Sequence, residues 1–297
     1  MLMVWIAAFR LRTLPLALAS IGMGAFLAAA DGFFSWPIFL WCALTTVSLQ
    51  ILSNLANDYG DTINGADSEK RSGPSRTVQA GLISLAAMRK AIAVFIVLTL
   101  ISGIHLLYLA FGLQWKAFLF FFGVGVAAIL AAIAYTAGRK PYGYMGLGDL
   151  SVLVFFGFVA VLGSYYLFAG SVRLDLVLPA ISIGLFSTGV LNVNNIRDIE
   201  SDMAAGKFSI PVRIGRSGAV KYHWLILSSG VLAALVYVIY NYQAPQQFLF
   251  LLVIPLLVKN AKAVKHKTEA GELDPFLRQL AFTSLLFVLL FGLGQLI

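Results

Sequence analysis

An all-α membrane protein, nine transmembrane helices in one bundle with two weakly repeated halves, is the fold class this sequence predicts. Three observations carry that reading. Of 297 residues, 60% are hydrophobic and 11% charged, whereas a soluble domain carries about 25% charge. The mean hydropathy is +0.89. The apolar residues also gather into nine runs near the roughly 20 residues that a spanning helix needs, and residues 1–297 read as a single transmembrane domain.

The first run, 14–31, follows Arg10 and Arg12 and ends in Ala28-Ala29-Ala30, as a cleavable signal would. Its apolar stretch is long for a signal core, so it reads as a retained span. Runs 36–56, 91–111, 116–136, 149–169, 174–194 and 222–241 each suit one crossing. The eighth, 245–259, is short and holds Pro255, and 277–296 is the last. Placing the N-terminus in the cytoplasm puts every Lys and Arg except Lys116 and Arg173 on the cytoplasmic side. Such a bias sets orientation, so the chain is expected to lie N-in and C-out in the cell (inner) membrane.

Composition also excludes chemistries. The single cysteine, Cys42, rules out a disulfide framework and a cysteine-ligated metal. His105, His223 and His266 are too scattered for soft-metal chemistry, and His105 reads as a packing residue. A net charge of +8 suggests nucleic acid only where a soluble basic face exists, so no nucleic-acid partner is expected.

Polar groups at membrane segments are functional candidates. The second run leads into Asn54, Asn57, Asp58 and Asp61, with Asp67 beyond. At about 100° per residue, Asn54, Asp58 and Asp61 share a narrow stripe. The sixth leads into Asn194, Arg197, Asp198 and Asp202, where Asn194, Asp198 and Asp202 again share one stripe. The two patterns lie an even number of spans apart, so both emerge at one face, as parallel internal repeats would. Five carboxylates at one boundary, Asp58, Asp61, Asp67, Asp198 and Asp202, repel one another unless a cation joins them.

Hard oxygen ligands of this kind suit Mg²⁺, which completes its shell with water and substrate phosphates. Lys70, Arg71 and Arg76 follow the first stripe, and Arg197, Lys207 and Arg213 accompany the second; such side chains bind phosphate oxygens. Each basic residue taken singly is explained by the positive-inside bias. The acidic stripes are not, because acids contribute little to it. A turn-rich segment, residues 135–149, adds Tyr135, Lys140 and Tyr142. Its tyrosines suit either a developing carbocation or an interfacial aromatic belt, and Asp149 reads as a first-turn charge.

These residues resemble the intramembrane aromatic prenyltransferases, and look most like the branch acting on 1,4-dihydroxy-2-naphthoate in menaquinone synthesis. The first Asp-rich motif of that family is matched by Asn57-Asp58-Tyr59-Gly60-Asp61 with Gly65 and Asp67, then Gly73-Pro74, Arg76, Gln79 and Gly81. The second is matched by Asn194-Asn195 with Arg197-Asp198 and Asp202. Arg12-Thr13-Leu14-Pro15, Lys140-Pro141-Tyr142-Gly143 with Gly146, Gly148 and Asp149, and Leu273-Asp274-Pro275-Phe276 also look like this branch. Where other branches place the last aspartate of the first motif stands Gly65, with Asp67 two residues on.

The resemblance implies a polyprenyl diphosphate donor held through Mg²⁺ by Asp58, Asp61, Asp198 and Asp202, with its tail among apolar helices beside membrane lipid. It implies attack by 1,4-dihydroxy-2-naphthoate with loss of CO₂ and diphosphate, giving demethylmenaquinol. Loss of CO₂ restores aromaticity, so no dedicated base is needed. The same fold acting on 4-hydroxybenzoate or haem would keep the donor chemistry without releasing CO₂. A cation-coupled transporter would instead place its carboxylates near mid-bilayer on broken helices.

The topology is open to a direct check. In a Cys42→Ala background, single cysteines replacing Ser68 and Ala205 should both react with an impermeant thiol reagent from the cytoplasmic side. Labelling from opposite sides would mean that the spans between them are miscounted.

Overall fold

The computed structural model describes residues 1–65 and 76–297. Asp67, Lys70 and Arg71, named above as candidate ligands, lie outside the described residues. Among the described residues, nine helical segments are long and apolar enough to cross a membrane. They are α1 (Leu2–Ala30), α2 (Trp36–Ile63), α3 (Leu85–Phe111), α4 (Trp115–Ala134), α5 (Gly148–Ala169), α6 (Leu174–Arg197), α7 (Ile210–Tyr240), α8 (Pro245–His266) and α9 (Ala270–Leu296).

Several helices begin where the sequence supplies a start signal. Pro37, Pro211 and Pro245 occupy the first turns of α2, α7 and α8, where a missing N–H costs nothing. The Ser84 hydroxyl accepts from the Ala87 N–H at the head of α3. Gly112 and Gly170 stop α3 and the last turns of α5 with positive φ.

The helices outrun the apolar runs that reveal them. α3 starts at Leu85 rather than 91, and α7 at Ile210 rather than 222. Hydropathy registers only the lipid-crossing part, while backbone hydrogen bonding continues into the polar turns. α7 is interrupted at Gly215, whose φ is 70°. α1 breaks at Arg10, a non-glycine residue at φ 49°, which separates Leu2–Phe9 from Leu14–Ala30. α6 stops at Arg197, and Asp202 sits on a separate short helix, Ile199–Ala204, so the second stripe is not one continuous helix. Its spacing survives because the Asp198 N–H bonds to the Asn194 carbonyl and the Asp202 N–H to the Asp198 carbonyl, at 3.1 and 2.8 Å.

α6 is the axis of the bundle. Ile183, Phe186, Val190 and Val193 on it are buried against α1, α5, α7 and α9 in the largest apolar cluster. Phe186 packs edge-on to Phe287, with ring centroids 4.9 Å apart. A polar ladder crosses the same core: Asn192 meets His223, and His223 meets the Asn260 carbonyl oxygen at 3.0 Å. Asn260 in turn donates to Gln279 at 2.6 Å, so the ladder links α6 to α9 through side-chain hydrogen bonds across successive helix interfaces. His105 packs on Trp41, ring centroids 4.2 Å apart.

α1 and α5 approach to backbone contact at Gly24. A Cβ there would overlap Ser164 Oγ and the Val161 carbonyl oxygen. Gly24→Leu is expected to destabilise the protein by about 1–3 kcal/mol or more, because the helices must separate to admit the side chain. Thermal unfolding in detergent measures this, with Gly271→Ala, where no atom lies within 4 Å of the missing Cβ, as the neutral reference.

Candidate active site

The ends of α2 and α6 stand at one face of the bundle, and the buried carboxylates gather there. Asp58, Asp61, Asp198 and Asp202 are 1%, 2%, 4% and 4% exposed. Buried charges persist only with partners. The Thr77 hydroxyl donates to Asp58 Oδ2 at 2.7 Å. Arg76 pairs with Asp61 Oδ2 at 2.6 Å and also donates to the Asn57 carbonyl at 2.7 Å. The Tyr144 hydroxyl donates to the other Asp61 oxygen at 3.0 Å.

On the second motif, Arg197 forks onto both oxygens of Asp198, at 2.8 and 2.7 Å. The same guanidinium reaches Asn194 Oδ1 at 2.9 Å and Asp274 Oδ1 at 2.5 Å. It is committed to carboxylates rather than open to a phosphate. Lys207 pairs with Asp202 at 3.2 Å and stands over the Tyr144 ring, 5.9 Å from its centroid. Burial alone would lower the Lys207 pKa, but Asp61 and Asp202 outweigh it and raise it. Asp202 is pushed up to about 6, by burial first and by Asp198 and Asp61, against the pull of Lys207. Burial and the Asp61 charge raise Tyr144, which stays a neutral donor.

Some oxygens remain open. Asp58 Oδ1, Asp202 Oδ2 and Asn195 Oδ1 are buried without a hydrogen-bond partner. They are acceptors only, hard oxygens of the kind that Mg²⁺ or its bound water takes. Among the described residues, no three His, Cys, Asp or Glu side chains already converge as a ligand set; each carboxylate faces a cation or a hydroxyl. The donor set therefore fits a divalent cation in chemistry.

Beneath this cluster lies a largely apolar cavity of about 390 Å³. Asn54, Asn57, Tyr135 and Tyr142 line it, together with Phe121 and Phe155. Tyr135 and Tyr142 stand edge to face, centroids 5.3 Å apart, and the Tyr142 hydroxyl is held by the Ala131 carbonyl and Ser151, each at 2.9 Å. The amide of Asn54 is already engaged, donating to the Phe9 carbonyl at 2.9 Å and Thr13 Oγ1 at 3.0 Å. Asn54 thus caps the break in α1 as well as lining the cavity.

Two candidates stand apart. Arg213 is exposed and donates to the Met145 and Phe208 carbonyls, clamping the α4–α5 loop to the segment after Asp202. Lys140 is exposed beside it in a surface hollow. Sequence reasoning did not name Thr77, and it named Tyr144 and Asp274 only within their own segments, without their bonds to Asp61 and Arg197. Tyr144 sits two residues from Tyr142, and Asp274 lies in the Leu273-Asp274-Pro275-Phe276 segment, but nothing local marks either as a partner of a distant motif.

A family model described as the UbiA prenyltransferase family matches residues 17–292. The chain is 44% identical over 298 residues to the 1,4-dihydroxy-2-naphthoate octaprenyltransferase of Haemophilus influenzae, covering 100% of this chain and 96% of that protein. It is 42% identical over 290 residues to the protein of the same name from Escherichia coli, covering 98% and 94%. A UbiA homolog from Archaeoglobus fulgidus, solved bound to GPP and Mg²⁺, superposes with a TM-score of 0.64 at 16% identity, covering 97% of this chain and 99% of that one.

The Arg197 fork should be measurable as stability. Arg197→Ala removes from buried Asp198 the guanidinium that grips both of its oxygens, and breaking a buried pair costs up to about 3–5 kcal/mol. Arg197→Lys, which keeps the charge but loses the fork, should fall between it and the parent. Denaturant titration in mixed micelles, on protein free of divalent metal, checks this order; equal stability of all three proteins would deny the pair a structural role.

Proposed function

Because the chain belongs to the UbiA prenyltransferase family, we propose that it transfers a polyprenyl group from polyprenyl diphosphate to 1,4-dihydroxy-2-naphthoate, releasing diphosphate and CO₂. The observation that carries this reading is the match over essentially full length to relatives named for that reaction. The site is consistent with it: an acid and cation cluster suited to a diphosphate stands directly above an apolar, tyrosine-edged cavity.

Asp58, Asp61, Asp198 and Asp202 would hold Mg²⁺, with Asp67 from outside the described residues. Bound there, the ion would neutralise charge developing on the departing diphosphate. Arg76 and Lys207, which now face Asp61 and Asp202, stand at the same place to meet donor phosphate oxygens, joined by Lys70 and Arg71. Arg197 orients Asp198 through its fork, while Arg213 keeps the covering loop in place and Lys140, exposed at the surface, recruits the anionic donor.

The allylic C–O bond breaks with its electron pair leaving on the diphosphate. The walls of the cavity exclude water from the resulting cation, and the rings of Tyr135 and Tyr142 present π-faces to it. The naphthoate ring carbon bearing the carboxylate forms the new C–C bond. CO₂ then departs, its bonding pair restoring the aromatic ring, so no side chain here has to remove a ring proton. Each buried CH₂ of a prenyl tail favours the bilayer by about 0.8 kcal/mol, which accounts for a multi-pass protein. The N-in, C-out orientation in the cell membrane puts the acid cluster on the cytoplasmic side, where a soluble aromatic acid arrives.

Membranes carrying the protein, given polyprenyl diphosphate, Mg²⁺ and 1,4-dihydroxy-2-naphthoate, should yield the prenylated product with one CO₂ for each transfer. Prenylation of 4-hydroxybenzoate or haem in preference to the naphthoate would replace the acceptor. Asp58→Asn and Asp198→Asn should each lower turnover by at least ~10²-fold, the scale of losing leaving-group stabilisation. Full activity in EDTA, or near-parent rates in both variants, would remove the metal assignment.

A further inference from the structure

The polar contacts at the break in α1 also fix one wall of the cavity beneath the carboxylates. Thr13 donates its hydroxyl proton to the Arg10 carbonyl at 2.9 Å, which leaves its oxygen as an acceptor. Asn54 donates to that oxygen and to the Phe9 carbonyl. Turned over, the Asn54 amide would press its oxygen against the Phe9 carbonyl oxygen, so these bonds decide which way it lies. Asn54 Oδ1 therefore faces Gln50, one turn earlier on α2, and accepts from Gln50 Nε2 at 3.3 Å. The same nitrogen stands 3.4 Å from Thr13 Oγ1. Gln50 is oriented by the same logic, because a flipped amide would set oxygen against oxygen at both positions.

Gln50 Oε1 is the atom that this chain of bonds leaves over. Among the described residues no group donates to it, and Gln50, partly exposed, lines the cavity. An amide oxygen carries two lone pairs and takes a donor. The nearby hydroxyls on the cavity wall do not supply one. Thr45, Thr99 and Ser20 give their protons to the Trp41, Phe95 and Leu16 carbonyls, each one turn back on its own helix. In a largely apolar chamber, an acceptor left unmet when a ligand displaces water weakens binding, and one that the ligand meets discriminates between ligands.

Gln50 precedes Asp58 by eight residues, about 12 Å along α2, so it lies below the level of a diphosphate held at the carboxylates. Of the two ligands in the proposed reaction, the prenyl donor has no hydrogen to offer there: its tail is hydrocarbon and its diphosphate accepts. The naphthoate has one on each ring hydroxyl. We propose that Gln50 determines the choice of acceptor, its Oε1 accepting a hydrogen bond from the 4-hydroxyl of the naphthoate. The side of the ring that carries the 1-hydroxyl and the carboxylate is then turned up toward the departing diphosphate, where the new bond forms. The inference rests on the prenyl-transfer reading above. An aromatic acid without that hydroxyl leaves the Gln50 oxygen unmet.

The test measures equilibrium binding of 1,4-dihydroxy-2-naphthoate and of 1-hydroxy-2-naphthoate, which lacks only the 4-hydroxyl, to full-length protein in nanodiscs with Mg²⁺, against empty nanodiscs. The parent should bind the dihydroxy acid at least ~10-fold more tightly, the scale of one hydrogen bond whose loss strands its partner. Gln50→Leu and Gln50→Met should bind the two acids alike, with the monohydroxy acid held as in the parent and the KM for polyprenyl diphosphate unchanged. Each protein is its own reference, so a general loss of stability cancels in the ratio. A parent that binds both acids equally, a ratio preserved in both variants, or loss of both acids from both variants overturns the assignment. A raised donor KM with the ratio intact also overturns it, and places Gln50 at the prenyl tail. Failure of the parent to prenylate the dihydroxy acid overturns the functional reading instead, whatever the binding ratio.

Discussion

Four carboxylates buried together at a membrane boundary are the constraint to which the rest of this site answers. Each is almost inaccessible to water, and like charges at close range raise one another's cost. Among the described residues, three cations paired with these carboxylates meet that cost from three directions. Arg76 precedes α3, Arg197 closes α6, and Lys207 lies on the stretch leading into α7. The α4–α5 loop belongs to the same arrangement: Tyr144 serves Asp61 with its hydroxyl and Lys207 with its ring, and the Phe208 N–H bonds to its backbone carbonyl. Gly146 permits this at φ 81°, where a side chain would press on the Phe208 carbonyl.

A membrane site of this kind divides into a charged lid and an apolar interior. The lid is made of short segments with many polar bonds, and the interior of long helices whose outward faces are equally apolar, as exposed Leu119 and Ile101 illustrate. Hydrophobicity therefore does not say which helix faces which. That is settled by small residues such as Gly24 and by the Asn192, His223, Asn260 and Gln279 ladder through α6 to α9. Within that frame α6 is gripped from all sides while α4 is held from one, and the reactive cavity opens beside the less constrained helix.

The nine crossings were legible because each needs a long apolar run, and the acidic stripes because an acid beside such a run has no topological reason to exist. Helix ends were less legible. Gly215 and Arg10 break their helices in polar flanks that hydropathy cannot resolve. Partnerships across the chain were not legible at all. Asn54 sits on the same stripe as Asp58, yet its amide serves Phe9 and Thr13, and Arg197 is claimed by Asp274, 77 residues away in sequence. Periodicity states which face a side chain occupies, and only packing states what stands opposite.

The break at Arg10 has a consequence for biosynthesis. The carbonyl it frees at Phe9 is capped by Asn54, one helical turn from Asp58, and Phe9 packs on Phe95 of α3, centroids 5.4 Å apart. The segment Leu2–Phe9 leaves the ribosome before either partner exists. It has to wait, held at the lipid surface by its own apolar side chains, until α2 and α3 have been inserted. The order of translation thus makes this segment wait for the third span before it can settle, and ties the packing behind the first acidic stripe to that arrival.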